Sequence, residues 1–552
     1  MHTKLLLLSA VVFALVYCGV GAKCFAQGAD VSALFEQAEQ FVEDENYEGA
    51  EAIYKQVVTE NPRTDDALEA QKLLTISYIN RGKRDEAELA LQELLAKFSE
   101  NEHIAKAVDD IADEYRESKD YDKARQLYQH VVSNWSDADY ALESQRGLIL
   151  LNILVGDETA AQADIDKLLT EFSGHKDIAK VAAHVADDHR DLGKYESALE
   201  LYRYVVETWP ESEYAMGSEV SIARLNIKLG NETAAQAALG KLIADFRGNK
   251  GLAKAVDHVA DSYRESKQYE KAKELYKYVV DTWPEAEHAI DSQTSLAKLY
   301  IQLGDDPNAQ AAVERLATDF WQDTGLPAAL CEIARRYERA KIYQEAKSVY
   351  QQIIEQEPNS PEADKAQLDI AKVDVLSLSE FGDDTAVPDA LDYMIADFYE
   401  HPYLGEAIFR VGEKYYNEAF SCENRGLEGE SKDYFRKTIA VWERIITELP
   451  ESDITARAYH LTADCCRRLG QYEKAIGYYR EIIANWPEYE YAGSAQFLIG
   501  YSYKKMKRAG AVSASIADAE IRTAYERVLE YYPDCGFVKA ARDWLNYHSK
   551  VR

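Results

Sequence analysis

Charged side chains recur along this chain at one fixed spacing. Lys106, Asp109, Asp113, Arg116 and Glu117 return as Lys180, Ala183, Asp187, Arg190 and Asp191, then as Lys254, Asp257, Asp261, Arg264 and Glu265, each set 74 residues after the last. Offsets of 3, 7 and 10 place Lys106, Asp109, Asp113 and Arg116 on one face of a helix, opposite its apolar stripe. Two chemistries suit such a row. It either pairs with itself, worth about 0.2–0.5 kcal/mol per pair, or it meets polar and cationic groups of another protein. The chain holds no Gly-rich phosphate loop, no helical His pair suited to a metal and no Gly-x-Ser-x-Gly turn. A non-catalytic protein is therefore expected, with no cofactor and no metal. Cys331, Cys422, Cys465, Cys466 and Cys535 are odd in number and irregular in spacing. Cys465 and Cys466, adjacent on a helix, point about 100° apart, and no His or further Cys sits at ligand spacing, so they read as buried small hydrophobes.

The elements that must carry this face are announced by alanine. Ala50, Ala87, Ala124, Ala161, Ala198, Ala235, Ala272, Ala309 and Ala346 stand 37 residues apart without a slip. A period of that size marks a solenoid, whose short units bury their apolar faces only against each other. Within a unit the apolar spacing is helical twice. Val108, Ile111, Ala112 and Tyr115 form one stripe, and Tyr121, Ala124, Tyr128 and Val131 a second, with a turn near Lys119-Asp120 between them. Gly82, Gly156, Gly230 and Gly304 mark the turn in alternate units. Asp157, Asn231 and Asp305 follow the last three, a left-handed helix end and then a cap. Units also alternate in how they close, at Trp135, Trp209 and Trp283 or at Phe98, Phe172, Phe246 and Phe320, so the building block is a 74-residue pair.

Residues 179–212 carry Ala186, His189, Tyr195, Ala198, Tyr202 and Pro210. Residues 327–360 carry Ala334, Tyr337, Tyr343, Ala346, Tyr350 and Pro358, and Ala38, Phe41, Tyr47, Ala50, Tyr54 and Pro62 open the series. This order of small residue, aromatic, alanine, aromatic and proline resembles the tetratricopeptide repeat. The interval of 37 is three longer than the usual unit. The resemblance implies an all-α, right-handed superhelical solenoid of about 13 antiparallel helix pairs, with first-helix faces lining a concave groove where partner segments lie. The family's groove chemistry for an anionic chain terminus uses Lys, Asn and Arg. Asp113, Asp187 and Asp261 at the centre here argue instead for a mixed-charge, net-acidic groove taking polar or basic segments. The rings of Tyr121, Tyr195 and Tyr269 are assigned to packing.

The regular array spans 30–360 and irregular units with insertions span 361–450, where Asp383-Asp384, Pro388 and the polar stretch Ser421 to Gly429 loosen the rhythm. Regular units and a capping helix return over 451–552. The stretch Tyr472 to Tyr547, with Asn485-Trp486-Pro487 and Ala495 to Gly500, is similar to the lipoprotein of the outer-membrane β-barrel assembly machine and to the Tol-Pal coordinator. Residues 1–26 read as an export signal, with Lys4 before the apolar run Leu5 to Val16 and small residues ahead of Ala26. An uncleaved anchor is one alternative, since Leu5 to Ala22 is just long enough to span a bilayer. A lipoprotein cysteine at Cys18 is another, with bulky Tyr17 before it where such signals carry a small residue. Cleavage would remove Lys4 and Lys23 and no acid, taking the formal charge from −34 to −36. Such an excess repels phosphate backbones, so nucleic acid is not an expected partner. These features describe an exported, non-catalytic scaffold of the bacterial cell envelope. Two rivals are an envelope enzyme or assembly-machine subunit with its activity centred on 380–450, and a self-assembling structural protein.

Overall fold

The computed structural model describes residues 31–549 apart from 45 and 382–384, so the export signal and Asp383-Asp384 lie outside the described residues. Those residues form 27 helices and no strand, 13 consecutive helix pairs followed by the closing helix Val538–Ser549. The chain is an all-α helical repeat solenoid. Its contacts divide it into two compact units, Met1–Ser262 and Tyr263–Arg552, with the division inside helix Leu252–Glu265.

In the first unit, each ladder alanine is the fourth residue of a second helix, as Ala124 is in Tyr121–Asn134 and Ala198 in Tyr195–Thr208. Ala50, Ala87, Ala124, Ala161, Ala198 and Ala235 are all at most 2% exposed. A methyl group is what fits at a seam where two backbones approach, and a longer side chain would have to displace the first helix. In alternate pairs an aromatic six residues before the end of the second helix fills the remaining space, with Tyr128 and Tyr202 each 1% exposed. Gly147 admits the Tyr128 ring from the preceding pair: a Cβ there would stand 2.6 Å from it.

The turns follow from backbone chemistry. Gly156 adopts φ 79° and its N–H returns to Ile153 O, while Asp157 N–H reaches Asn152 O and the Asp157 carboxylate accepts the Ala160 N–H at 3.0 Å. Asn231 differs from expectation, because its side chain makes no bond to the following helix and turns back to Asn226 Oδ1 at 3.4 Å. In the alternate pairs the same left-handed position is held by Lys119 (φ 66°) and Gly193 (φ 77°). From the second pair on, each second helix of this unit ends on its Trp or Phe, whose backbone N–H closes the last turn. Trp135 and Trp209 lie edge-on to His130 and Tyr204, at 5.2 and 5.5 Å.

In the second unit Ala272, Ala309 and Ala346 are fully buried, and so is Ala475 in the same position of helix Tyr472–Asn485. The irregularity over 361–450 lies in helix length, with Val387–Asp397 shortened to 11 residues and the others lengthened. Pro361–Glu380, Leu404–Asn424 and Glu428–Glu448 run 20, 21 and 21 residues, and the polar stretch from Ser421 is the end of one long helix, a turn at left-handed Gly426 and the start of the next. The interior of that long pair is filled by rings: Trp442 stacks on Phe409 at 5.0 Å and donates its Nε1–H to Phe409 O at 3.0 Å. No helix of the described residues is long and apolar enough to cross a membrane.

Candidate functional site

The recurring charged row sits on first helices, and the structure splits it into an outer edge and an inner, anchored part. Lys106 and Glu117 of helix Ile104–Glu117 are exposed, as are Asp191 and, in helix Leu252–Glu265, Lys254 and Glu265. Lys180 lies 3.6 Å from Glu143 of the neighbouring first helix. Asp113 and Arg116 are half-buried and bond to their own second helix. Tyr128 OH donates to Asp113 Oδ1 at 2.5 Å, Arg116 Nη2 donates to the same oxygen at 2.7 Å, and Arg116 Nε reaches Tyr128 OH at 3.2 Å. Asp187, Arg190 and Tyr202 repeat this closed triad, Arg190 also donating through Nε to Asp191 at 2.9 Å. In the second unit Arg264 Nε donates to Tyr276 OH at 3.1 Å, and Asp464 accepts from Arg467 and from Arg468.

This arrangement corrects the expectation of one solvated face. Asp109 and Asp257 are 7% and 8% exposed, and over Asp109 the next first helix stacks on that side of the row. In the first unit Ser144 of helix Asp139–Val155 donates to Asp109 Oδ1. Burial, aided by Asp113, Asp110 and Glu143 and opposed by the Ser144 hydrogen bond, pushes the Asp109 carboxyl up to about 7. Ala183 stands where Asp109 does, and the counterpart of Ser144 there, Ser218, has a buried Oγ with no partner. The tyrosine anchor was legible but missed: Asp to Tyr is 15 residues and Arg to Tyr 12 at 113/116/128, 187/190/202 and 261/264/276. The set 464/467/479 keeps the spacing, although the buried Tyr479 hydroxyl makes no hydrogen bond among the described residues.

Burial of Tyr128 and Tyr202, beside Asp113 and Asp187, drives both phenols upward, so they act as hydrogen-bond donors and not as bases. Cys465 and Cys466 are fully buried as expected, and burial pushes Cys466 up to about 12 and Cys465 well above the ordinary thiol range. Tyr195 packs under the Lys228 ammonium at 4.7 Å, and Tyr269 OH accepts from Gln302 at 3.2 Å. Asp139, His175 and Asp177 bring three ligand atoms within 4.8 Å of one another. There Lys176 Nζ already lies 3.2 Å from Asp139, and His175 Nδ1 accepts the Asp177 N–H.

The row changes sign inside the second unit. First helices Ala289–Leu303, Leu326–Arg339, Pro361–Glu380 and Leu404–Asn424 line two adjoining hollows of about 390 and 640 Å³. The smaller one presents Arg264, Lys298, Arg335, Arg336 and Arg339 against Glu332 alone. The net-acidic groove expected from Asp113, Asp187 and Asp261 therefore does not extend here, where cations outnumber acids on both walls. Below the larger hollow, Lys372 is buried between Asp369 Oδ1 at 2.7 Å and Glu338 Oε1 at 3.1 Å, and Tyr350 OH donates to Glu338 at 2.6 Å.

Residues 41–111, 329–360 and 410–488 match sequence models of the tetratricopeptide repeat. No curated protein matches the chain significantly. Among solved structures, a tetratricopeptide repeat protein from Parabacteroides merdae is 14% identical, covering 52% of this chain and 98% of its own, with a TM-score of 0.26. The Naa15/Naa10 complex bound to HypK-THB is 15% identical, covering 90% of this chain and 82% of its own, at 0.29. A kinesin light chain-like repeat protein from Podosopora anserina is 22% identical, covering 33% and 96%, at 0.25. TM-scores this low carry nothing about what the chain binds.

Proposed function

Because this chain is a tetratricopeptide repeat protein, we propose that it is a non-catalytic protein–protein interaction scaffold of the bacterial cell envelope. In the first unit the docking edge is the exposed part of the charged row, where Lys106, Glu117 and Asp191 stand free of the core. The exposed acids Glu117 and Asp191, on a chain of formal charge −34, suit polar or basic segments of partner proteins. The observation that carries the reading is the division of labour within the row. Asp113 and Asp187 are consumed in holding Arg116, Tyr128, Arg190 and Tyr202, so the helix face is rigid before any partner arrives. Export is supported by residues 1–26 with their single early lysine and apolar run.

Crosslinking and mass spectrometry of the full chain in its own cell envelope tests this. Crosslinks to one or a few proteins should map to first-helix residues, and a Glu117→Lys, Asp191→Lys, Glu265→Lys variant should lose partners held by the acidic edge. Reversing Asp113 and Asp187 would be a poor test, since it removes the acceptors of buried tyrosine hydroxyls. Recovery of no protein partner from wild-type envelopes would overturn the scaffold reading.

A further inference from the structure

The first-helix row inverts at the ninth pair. The position that is Asp113, Asp187 and Asp261 becomes Arg335, and the position that is Arg116, Arg190 and Arg264 becomes Glu338. The inward role survives the swap, because Glu338 now takes the Tyr350 hydroxyl and, with Asp369, the buried Lys372 ammonium. What the swap leaves over is Arg335. It makes no ion pair with a carboxylate among the described residues, and neither does Arg339 one turn on. Arg336 between them donates to an uncharged amide, Gln302 Oε1, at 2.9 Å.

Three guanidiniums with no carboxylate partner are conspicuous in a chain with 97 acids against 63 bases. Elsewhere Arg146 pairs with Asp188 and Arg444 with Asp392. Arginines that find no acid among the described residues, such as Arg125 on Asn152 and Arg224 on Ser262, stand singly, whereas here three fall within five residues of one helix. Arg335 and Arg339 line both hollows, so the two adjoin at these guanidiniums and together make a trough. Lys298 and Lys414 are fixed at its sides by Glu332 at 2.7 Å and Glu380 at 3.1 Å.

We infer that this trough receives an extended acidic segment of a partner protein, whose side-chain carboxylates pair with Arg335, Arg336 and Arg339. Guanidinium forks match carboxylates two bonds at a time. Gln302 and Asn417 in the walls offer hydrogen bonds to a peptide backbone. A long polyanion fits less well: beyond a Debye length of about 8–10 Å it meets the screened but still negative remainder of the molecule. The inference rests on the scaffold reading and gives its second unit a ligand of opposite charge to that of the first.

Fluorescence anisotropy with the full chain tests it, using a labelled peptide of about 12 residues alternating Glu and Ser, its Gln and Lys counterparts, and an oligothymidylate of equal length. The Glu peptide should bind, the Gln and Lys peptides should not, and raising salt from about 50 to 300 mM should weaken binding. Arg335→Gln with Arg339→Gln should weaken it about ten-fold, and Arg335→Glu with Arg339→Glu should abolish it with helical circular dichroism unchanged. The Gln variant carries the test if the Glu variant misfolds. Equal binding by wild type and the Gln variant, tighter binding of oligothymidylate than of peptide, or displacement by an equal charge of inorganic phosphate would each overturn the inference. Envelope crosslinks that persist in the Gln variant leave the scaffold standing and remove only this site; absence of crosslinks from wild type removes the scaffold.

Discussion

Glu219 occupies a register position that Gln71, Gln145 and Gln293 fill in the other units of its kind. Each glutamine is buried in a first helix and donates Nε2–H to a backbone carbonyl 19 residues on: Ala90 O at 2.9 Å, Asp164 O at 3.1 Å and Ala312 O at 2.8 Å. A carboxylate cannot donate, and Glu219 is only 3% exposed. Burial raises its carboxyl above the ordinary glutamate value, with Lys241 pulling the other way. A carboxyl raised in the folded state adds stability at low pH and loses it as the pH climbs through the folded value. Glu219→Gln should therefore stabilise the protein by about 1 kcal/mol at pH 8, and by less at pH 4. Urea midpoints at the two pH values measure it, and an equal shift at both would mean the carboxyl is not the cause. The charges of Asp113 and Arg116 were readable from sequence, but their destination was not, because burial of one flank of the row depends on where the next helix stacks.

At the level of elements, turn chemistry was written in the sequence where glycine supplies it and hidden where lysine does. Lys119, Lys267 and Lys341 adopt φ of 66°, 60° and 62° at the position where Gly193 sits at 77°. The left-handed region costs an L-residue about 1 kcal/mol relative to glycine. Lys341 recovers part of this through Glu380, its ammonium lying 2.8 Å from that carboxylate, whereas Lys119 is exposed and pairs with no acid among the described residues. Lys119→Gly should raise the thermal midpoint, and Gly193→Lys should lower it by a similar amount; if the two changes move it the same way, the backbone account is wrong. The long helices between Pro361 and Glu448 escaped the periodic reading for a related reason. Extra helical turns keep the 3.6-residue stripe intact while breaking the 37-residue count, and a polar Ser421 to Gly429 stretch looks alike as loop or as exposed turn.

At the level of the whole molecule, a repeat array spreads its stability over neighbouring units, so damage should stay local. The closing helix offers a test within the second unit. Trp544 meets the Tyr525 ring edge-on at 5.4 Å, and Phe497 stacks between Tyr525 and Phe537 at 4.9 and 4.6 Å. Trp544→Ala should release amide protection over 492–531 in hydrogen exchange while 404–485 keep theirs. Simultaneous loss across both ranges would show that these pairs unfold as one block. Charge is also organised at this scale: the first-helix row carries Asp113 and Asp187 in the first unit, whereas in the second unit Arg335, Arg336 and Arg339 of the ninth first helix and Arg410 of the eleventh line the hollows.

The sequence by itself determined the helix pairs, their number, the alanine seam and the aromatic closures, because each depends on residue spacing along a single helix and on contacts between neighbours 37 residues apart. Only the tertiary structure decided what the charged residues do. Whether an aspartate faces solvent, a tyrosine or a buried serine depends on how one pair stacks on the next. That stacking turned Asp113 into an anchor, buried Asp109, and left Arg335 and Arg339 lining an open trough.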